Sequence, residues 1–215
     1  MTGPAGGFLA TPAAGSRRAT LLLAHGAGGP MDSPALEAFA AAVGAEGVAV
    51  LRFEFPYMAA RRTGARKPPP KAETLVPAYR QALEAALADT DGPLLIGGKS
   101  LGGRVAVMTA GETLEPRVRG VVAYGYPFHP PGEPEKTRLP PLQAARLPVL
   151  VLQGTRDPFG GKDEVASYDL GPRAEVAWFE DGDHDLKPRR ASGETMAGHL
   201  ATAARRIAAF AARLA

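Results

Sequence analysis

There is no cysteine in the 215 residues of this chain. That excludes disulfides, thiolate metal sites and a cysteine nucleophile. No uninterrupted apolar run approaches the ~18 residues of a membrane-crossing helix. The first residues, Met1 to Ala10, lack the charged region and long apolar core of a secretory leader. A soluble, cytoplasmic protein without a membrane partner is the expectation. An excess of either charge is also lacking: the formal net charge is only +3. The densest basic group, Arg61, Arg62, Arg66, Lys67 and Lys71 around Pro68-Pro69-Pro70, reads as a solvated loop. A nucleic-acid surface would need aromatic or groove-reading partners, which are missing. Histidine is limited to His25, His129, His184 and His199, and no internal repeat is found.

What is present is a moderately apolar chain, 45% hydrophobic, enough for a real core. Its length suits one domain over residues 1–215. Residues 1–18 are rich in Gly, Pro and Ala and read as a loose segment with a short edge strand at Phe8-Leu9-Ala10. Short apolar runs then alternate with helical patterns. Ala19 to Ala24, Val48 to Phe55, Leu94 to Gly97, Val118 to Tyr124, Pro148 to Gln153 and Ala174 to Phe179 read as strands. Ser33-Pro34 is a helix start with an N-cap and a Pro at the first position; Leu36, Phe39, Ala40 and Val43 follow at helical spacing, and Gly44 and Gly47 stop it. A second helix from Thr74 carries Val76, Tyr79, Leu83 and Leu87, after a long polar loop from Tyr57 to Ala72. The segment Pro127 to Leu147 reads as an irregular connection, and a short helix is placed near Lys162 to Tyr168. The last helix, from about Glu194, carries Met196, Leu200, Ala203, Ile207, Phe210 and Leu214 as one stripe. Alternating apolar strands and helices predict an α/β fold, a mostly parallel sheet with helices on both faces.

In such sheets ligands bind beyond the carboxyl ends of the strands. His25, Ser100, Asp157 and His184 all follow strand ends. Ser100 is the apex of Gly98-Lys99-Ser100-Leu101-Gly102, between a strand and a helix. This is the context of a nucleophile elbow, whose sharp turn demands small residues two before and two after the Ser. A Ser hydroxyl needs a neighbouring base. His184, in the turn after the last strand, is the candidate; His199 reads as a surface or helix-flank residue and His129 lies in a Pro-rich loop. Asp157 is the candidate orienter of His184, and Asp183 and Asp185 read as solvated or loop-capping. The order Ser, Asp, His is that of an α/β-hydrolase triad. The oxyanion donors expected are the amides of Leu101 and of Ala27, or Gly28 if the first glycine-rich loop is shifted. His25 is expected to buttress that loop.

His25-Gly26-Ala27-Gly28-Gly29, Gly98-Lys99-Ser100-Leu101-Gly102-Gly103-Arg104, Gln153-Gly154-Thr155-Arg156-Asp157-Pro158-Phe159 and Gly182-Asp183-His184-Asp185-Leu186 together resemble the α/β-hydrolase superfamily. They look most like its small, lidless, dienelactone-hydrolase-like branch, over Ala19 to the C-terminus. Dienelactone hydrolases use a Cys nucleophile, which this chain lacks. The branch also includes members similar to a subunit of a chromatin-modifying complex. The resemblance implies the α/β-hydrolase fold with minimal or no lid, and hydrolysis by Ser100, His184 and Asp157 without cofactor or metal. It leaves open a non-catalytic interaction protein, or an acyltransferase or peptidase on the same triad.

The short Pro127 to Leu147 connection, where larger relatives insert a lid, predicts an open site for a small or flexible ester or thioester. Lys99, Arg61, Arg62 and Arg66 are expected to place positive charge near its mouth and favour anionic acyl groups. His25, Gly28, Lys99 and Phe159 are the candidate substrate contacts, with Tyr57 and Phe128 as further pocket walls. A monomer or homodimer is expected.

Overall fold

The computed structural model describes residues 7–64 and 68–214; residues 1–6, Arg66 and Lys67 of the basic group, and the last residue lie outside the described residues. Among the described residues seven strands form one sheet: β1 Leu9–Thr11, β2 Ala19–Ala24, β3 Val48–Phe53, β4 Leu94–Lys99, β5 Val118–Tyr124, β6 Val149–Gly154 and β7 Ala174–Phe179. Their order is β1-β3-β2-β4-β5-β6-β7. Only β1 runs antiparallel, pairing Leu9 with Arg52 at the sheet edge. The other pairs are parallel.

The strands β2, β4 and β6 are buried along their whole length. Successive side chains on a strand face opposite ways, so an all-apolar run requires cover on both sides. Leu21, Leu23, Leu95 and Val122 pack with α1 (Pro34–Ala45) and α7 (Met196–Arg213). Leu22, Ala24, Ile96 and Val121 pack on the opposite face, with α3 (Val76–Asp89) and α4 (Leu101–Thr109). The α7 stripe is buried at Leu200, Ala203, Ile207 and Phe210, and the Thr195 hydroxyl caps the helix by accepting the Gly198 N–H at 3.0 Å.

Local expectations are corrected at several points. Residues after Tyr57 do not form a continuous loop: Pro56 opens a helix, α2 (Pro56–Arg62), whose Met58 is buried. A Pro at the first position costs nothing there, because its missing N–H would have no partner in the helix. Gly44 does not stop α1 but lies within it. A Cβ there would come within 2.7 Å of the Pro12 carbonyl, so glycine admits the incoming chain; Gly47, at φ +82, follows the end. Ser33 occupies the N-cap position, yet its side chain makes no cap bond. A single 3-10 turn, Ala72–Leu75, precedes α3. Between β5 and β6 the only helix among the described residues is the one-turn α5 (Pro140–Gln143), so no lid covers the sheet edge; α6 (Lys162–Val165) is equally short.

Candidate active site

Strand β4 ends at Lys99 and α4 begins at Leu101, leaving Ser100 alone in the turn at φ 51, ψ −113. That backbone is unfavourable for a residue with a side chain and persists where its surroundings over-determine it. The Ser100 N–H donates to the Tyr124 carbonyl at 2.8 Å, which fixes the turn against β5. A Cβ on Gly98 would lie 2.3 Å from the Gly102 backbone, and one on Gly102 would lie 2.5 Å from the His25 carbonyl. The two glycines therefore let β4, α4 and the loop after β2 converge behind Ser100.

The Ser100 hydroxyl lies 2.9 Å from His184 Nε2, and His184 Nδ1 lies 2.8 Å from Asp157 Oδ2. Asp157 follows β6, is nearly fully buried, and accepts the Phe159 N–H on its other oxygen at 2.9 Å. A carboxylate has no proton to give, so Nδ1 carries the hydrogen and Nε2 is left to accept from the Ser100 hydroxyl. Gln153 completes this support, a role not read from the sequence. Its fully buried amide donates to Asp157 Oδ2 at 2.8 Å, while its oxygen accepts the Tyr126 N–H at 2.8 Å. The Phe159 ring lies against the His184 imidazole, with centroids 4.2 Å apart.

The loop carrying His184 is held from three sides. Lys99 Nζ donates to the His184 carbonyl at 2.8 Å, the Tyr124 hydroxyl donates to the Asp185 carbonyl at 2.8 Å, and His199 Nδ1 bonds the Leu186 carbonyl at 2.7 Å. Two of its non-glycine residues, Asp181 and Leu186, have φ of 54 and 60. Asp183 caps the turn, its Oδ1 accepting the Asp185 and Lys187 N–H groups. Asp185 is mostly exposed and pairs with Lys99 at 3.2 Å. The expectation that His199 is a surface residue is corrected: it is 5% exposed, because the loop offers its ring a carbonyl partner inside the core. His129 is also buried, and pairs with Glu164 at 3.1 Å.

On the opposite side, the loop after β2 is built on His25. The His25 Nε2 accepts the Phe55 N–H at 3.1 Å, so its Nδ1 donates to the Gly26 carbonyl at 2.6 Å. Burial lowers the His25 pKa, favouring this neutral ring. The Tyr57 hydroxyl lies 3.2 Å from the Gly26 carbonyl and 3.4 Å from that of Ala27. Within α4 the Arg104 N–H takes the Ser100 carbonyl, so the Leu101 amide stands outside the helical ladder, at the positive end of the helix.

Two cavities meet at Ser100. One, of about 430 Å³, is lined by Ala27, Gly28, Leu36, Tyr124, His184 and Phe159, with Lys99 at its wall. The other, of about 490 Å³, is lined by Ala27, Leu101, Arg104, Pro127, Arg138 and Phe159. Ala27, Ser100 and Phe159 are common to both. His25 lines neither cavity and is 0% exposed, which corrects its placement among the substrate contacts: it touches the loop instead. Phe128 is fully buried core, and Tyr57 lines neither cavity. Of the expected cationic mouth, Arg66 lies outside the described residues, and the other three members are engaged with protein partners. Lys99 is bound to Asp185, Arg62 is bound to Glu54 and Asp32, and Arg61 lies over the Tyr57 ring.

A family model described as an alpha/beta hydrolase domain matches residues 17–212, and the chain belongs to that family. Among solved structures it is similar to a dienelactone hydrolase from Anabaena variabilis, at 21% identity and a TM-score of 0.71, covering 95% of this chain and 90% of that one. It is also similar to an α/β serine hydrolase without lid from Xanthomonas campestris, at 18% identity and a TM-score of 0.63, covering 92% of this chain and 85% of that one. An esterase domain from Rhodothermus marinus matches at 21% identity and a TM-score of 0.62, covering 94% and 90%. These likenesses are of fold. No helix among the described residues is long and apolar enough to cross a membrane.

Proposed function

We propose that the protein is a serine hydrolase of carboxylesterase type, cleaving an ester or thioester of a small or flexible substrate through an acyl-enzyme. The observation that carries this reading is the continuous hydrogen-bonded chain from Asp157 through His184 to Ser100, at 2.8 and 2.9 Å. Esterase and serine-hydrolase structures of the same fold support it.

The Ser100 oxygen attacks the carbonyl carbon while His184 Nε2 takes its proton. The resulting imidazolium keeps its Nδ1–H on Asp157, which stabilises the positive charge. The carbonyl oxygen becomes an oxyanion facing the Leu101 and Ala27 amides, and such donors act where charge develops. Collapse breaks the bond to the leaving alcohol or thiol, which takes the proton from His184 Nε2. Water then attacks the acyl-enzyme as His184 Nε2 takes its proton, and collapse breaks the bond to Ser100, which receives that proton from His184 as the acid is released. Cavities of about 430 and 490 Å³ suit small groups on either side of the scissile bond.

The test is labelling with a fluorophosphonate probe and mass mapping, on the wild type and Ser100→Ala, with para-nitrophenyl esters of short acids as substrates. Labelling at Ser100 alone, and loss of turnover in the variant, are expected. Asp157→Asn is expected to lower turnover by roughly 10⁴, as loss of the orienting carboxylate does in a serine protease. A folded wild type that takes no label and turns over no ester overturns the proposal.

A further inference from the structure

The cavity that does not contain His184 carries an unusual charge balance. Lys71, Glu73, Arg104 and Arg138 line it. The one carboxylate, Glu73, accepts from Arg104 Nη2 at 2.7 Å. Arg104 is mostly buried, and its Nε is enclosed without a partner among the described residues. Buried donors are ordinarily satisfied, so an orphan one needs a reason. Arg138 is half-buried, and its guanidinium has neither a hydrogen bond nor an ion pair among the described residues. Burial lowers its pKa, and the Arg104 charge adds to the effect.

The placement of both arginines is fixed by the fold. Arg104 stands one helical turn beyond Ser100 on α4, about 6 Å along the axis. Arg138 is anchored by its backbone: its N–H donates to the Phe128 carbonyl at 2.7 Å and its carbonyl accepts the Tyr126 hydroxyl at 2.8 Å. Tyr126 and Phe128 are fully buried. The connection standing where a lid would begin thus presents a cation to the site, and guanidinium groups pair well with carboxylate and phosphate-type anions.

Which half of the substrate meets them follows from proton transfer. The leaving group must take its proton from His184 Nε2, so it lies on the His184 side, in the first cavity. The acyl chain then extends the other way, past Leu101 toward Arg104 and Arg138.

We propose that Arg104 and Arg138 form an anion subsite, and that the acyl group transferred to Ser100 ends in a carboxylate or a phosphonate-like anion. This rests on the serine-hydrolase reading above and adds the substrate class. The two arginines, not the lysine and arginines nearest Ser100 and the first loop, select the acyl group.

The test compares kcat/KM for para-nitrophenyl half esters of succinic, glutaric and adipic acids with uncharged acyl esters of matched length. A second arm uses acyl chains ending in phosphonate. The wild type is expected to favour an anionic chain by about tenfold or more, the scale of one charge-assisted hydrogen bond, and to lose that preference as salt is raised. Arg138→Gln and Arg104→Gln are expected to bring the ratio toward one. Because the readout is a ratio within each protein, a general loss of activity in a variant cancels. Arg138, in a half-exposed connection, provides a variant that leaves the α4 packing intact. A preference for either anion supports the subsite, and the better one names its chemistry. A wild type that labels at Ser100 and cleaves neutral esters equally well overturns the subsite and leaves the hydrolase standing. A preference retained in both variants also overturns it. Absence of labelling and of all ester turnover removes both readings.

Discussion

Lys99 Nζ donates to the backbone carbonyl of His184 at 2.8 Å, so the residue before Ser100 holds the loop that carries His184. The same ammonium pairs with Asp185 at 3.2 Å and lies 5.0 Å from the Tyr124 ring centroid. Burial pushes the Lys99 pKa below its ordinary 10.5, with Asp185 opposing the shift. Stability and positioning therefore pull in different directions at this residue. Replacing a buried charge by an apolar side chain of similar length is often neutral or stabilising, whereas the His184 carbonyl loses its donor. Lys99→Met is expected to keep or raise the melting temperature and to lower kcat about tenfold, the scale of a hydrogen bond from a charged donor. Paired thermal melts and steady-state kinetics check it. Between the lowered pKa and 10.5 the unfolded chain binds more protons at Lys99 than the folded one. This residue's contribution to stability consequently rises with pH across that window. The variant is expected to lack that rise, and unchanged kcat would mean that the carbonyl tie does not position His184.

His25 makes the fold sensitive to acid. Its ring accepts from Phe55 and donates to Gly26, an arrangement available only to the neutral imidazole. Burial holds its pKa below 6.5. As pH falls below 6.5 the unfolded chain takes up the proton first. Stability from His25 is present above that pH and declines toward the folded-state pKa. Urea unfolding of the wild type is expected to show this decline. His25→Gln is expected to be less stable at neutral pH and to lose less on acidification. Parallel curves for the two proteins would show that His25 titrates alike in both states.

These two residues mark where the sequence was readable and where it was not. Strands β2, β4 and β6 were legible because each is a short run buried along its whole length, and the residues just beyond the strand ends followed from the parallel topology. Ser100 was legible because Gly98 and Gly102 answer a steric demand that few turns make. The helix from Pro56 to Arg62 was not, since seven residues are too few to display a period. Nor was the burial of His199, whose partner is a carbonyl thirteen residues earlier, brought near only by the folded loop. The direction of Lys99 and the support of Asp157 by Gln153 are likewise tertiary outcomes. So is the meeting of Arg104 with Arg138, which join a helix to a connection far along the chain.

The contact between Gly102 and the loop after β2 ties the start of α4 to the backbone that carries Ala27, and a single methyl group tests it. A Cβ on Gly102 would lie 2.5 Å from the His25 carbonyl oxygen and 2.8 Å from the Ala24 Cβ. Neither neighbour is the free end of a flexible side chain. The Ala24 side chain is a buried methyl on a central strand, and the His25 carbonyl belongs to backbone that leads directly into Gly26 and Ala27. Relief must come from separating α4 from that loop, the two elements that carry the Leu101 and Ala27 amides of the proposed oxyanion site. Overpacking of this kind costs about 1–3 kcal/mol, so Gly102→Ala is expected to fold with a reduced unfolding free energy. In the mechanism proposed above the two amides serve the oxyanion rather than the ground-state carbonyl, which places the loss in kcat more than in KM. A fall of about 10²–10³ in kcat is expected, the effect of losing one oxyanion donor. Fluorophosphonate labelling of Ser100 should slow in parallel, because it also passes through an oxyanion. A variant as stable and as active as the wild type would show that the loop yields without displacing the Ala27 amide.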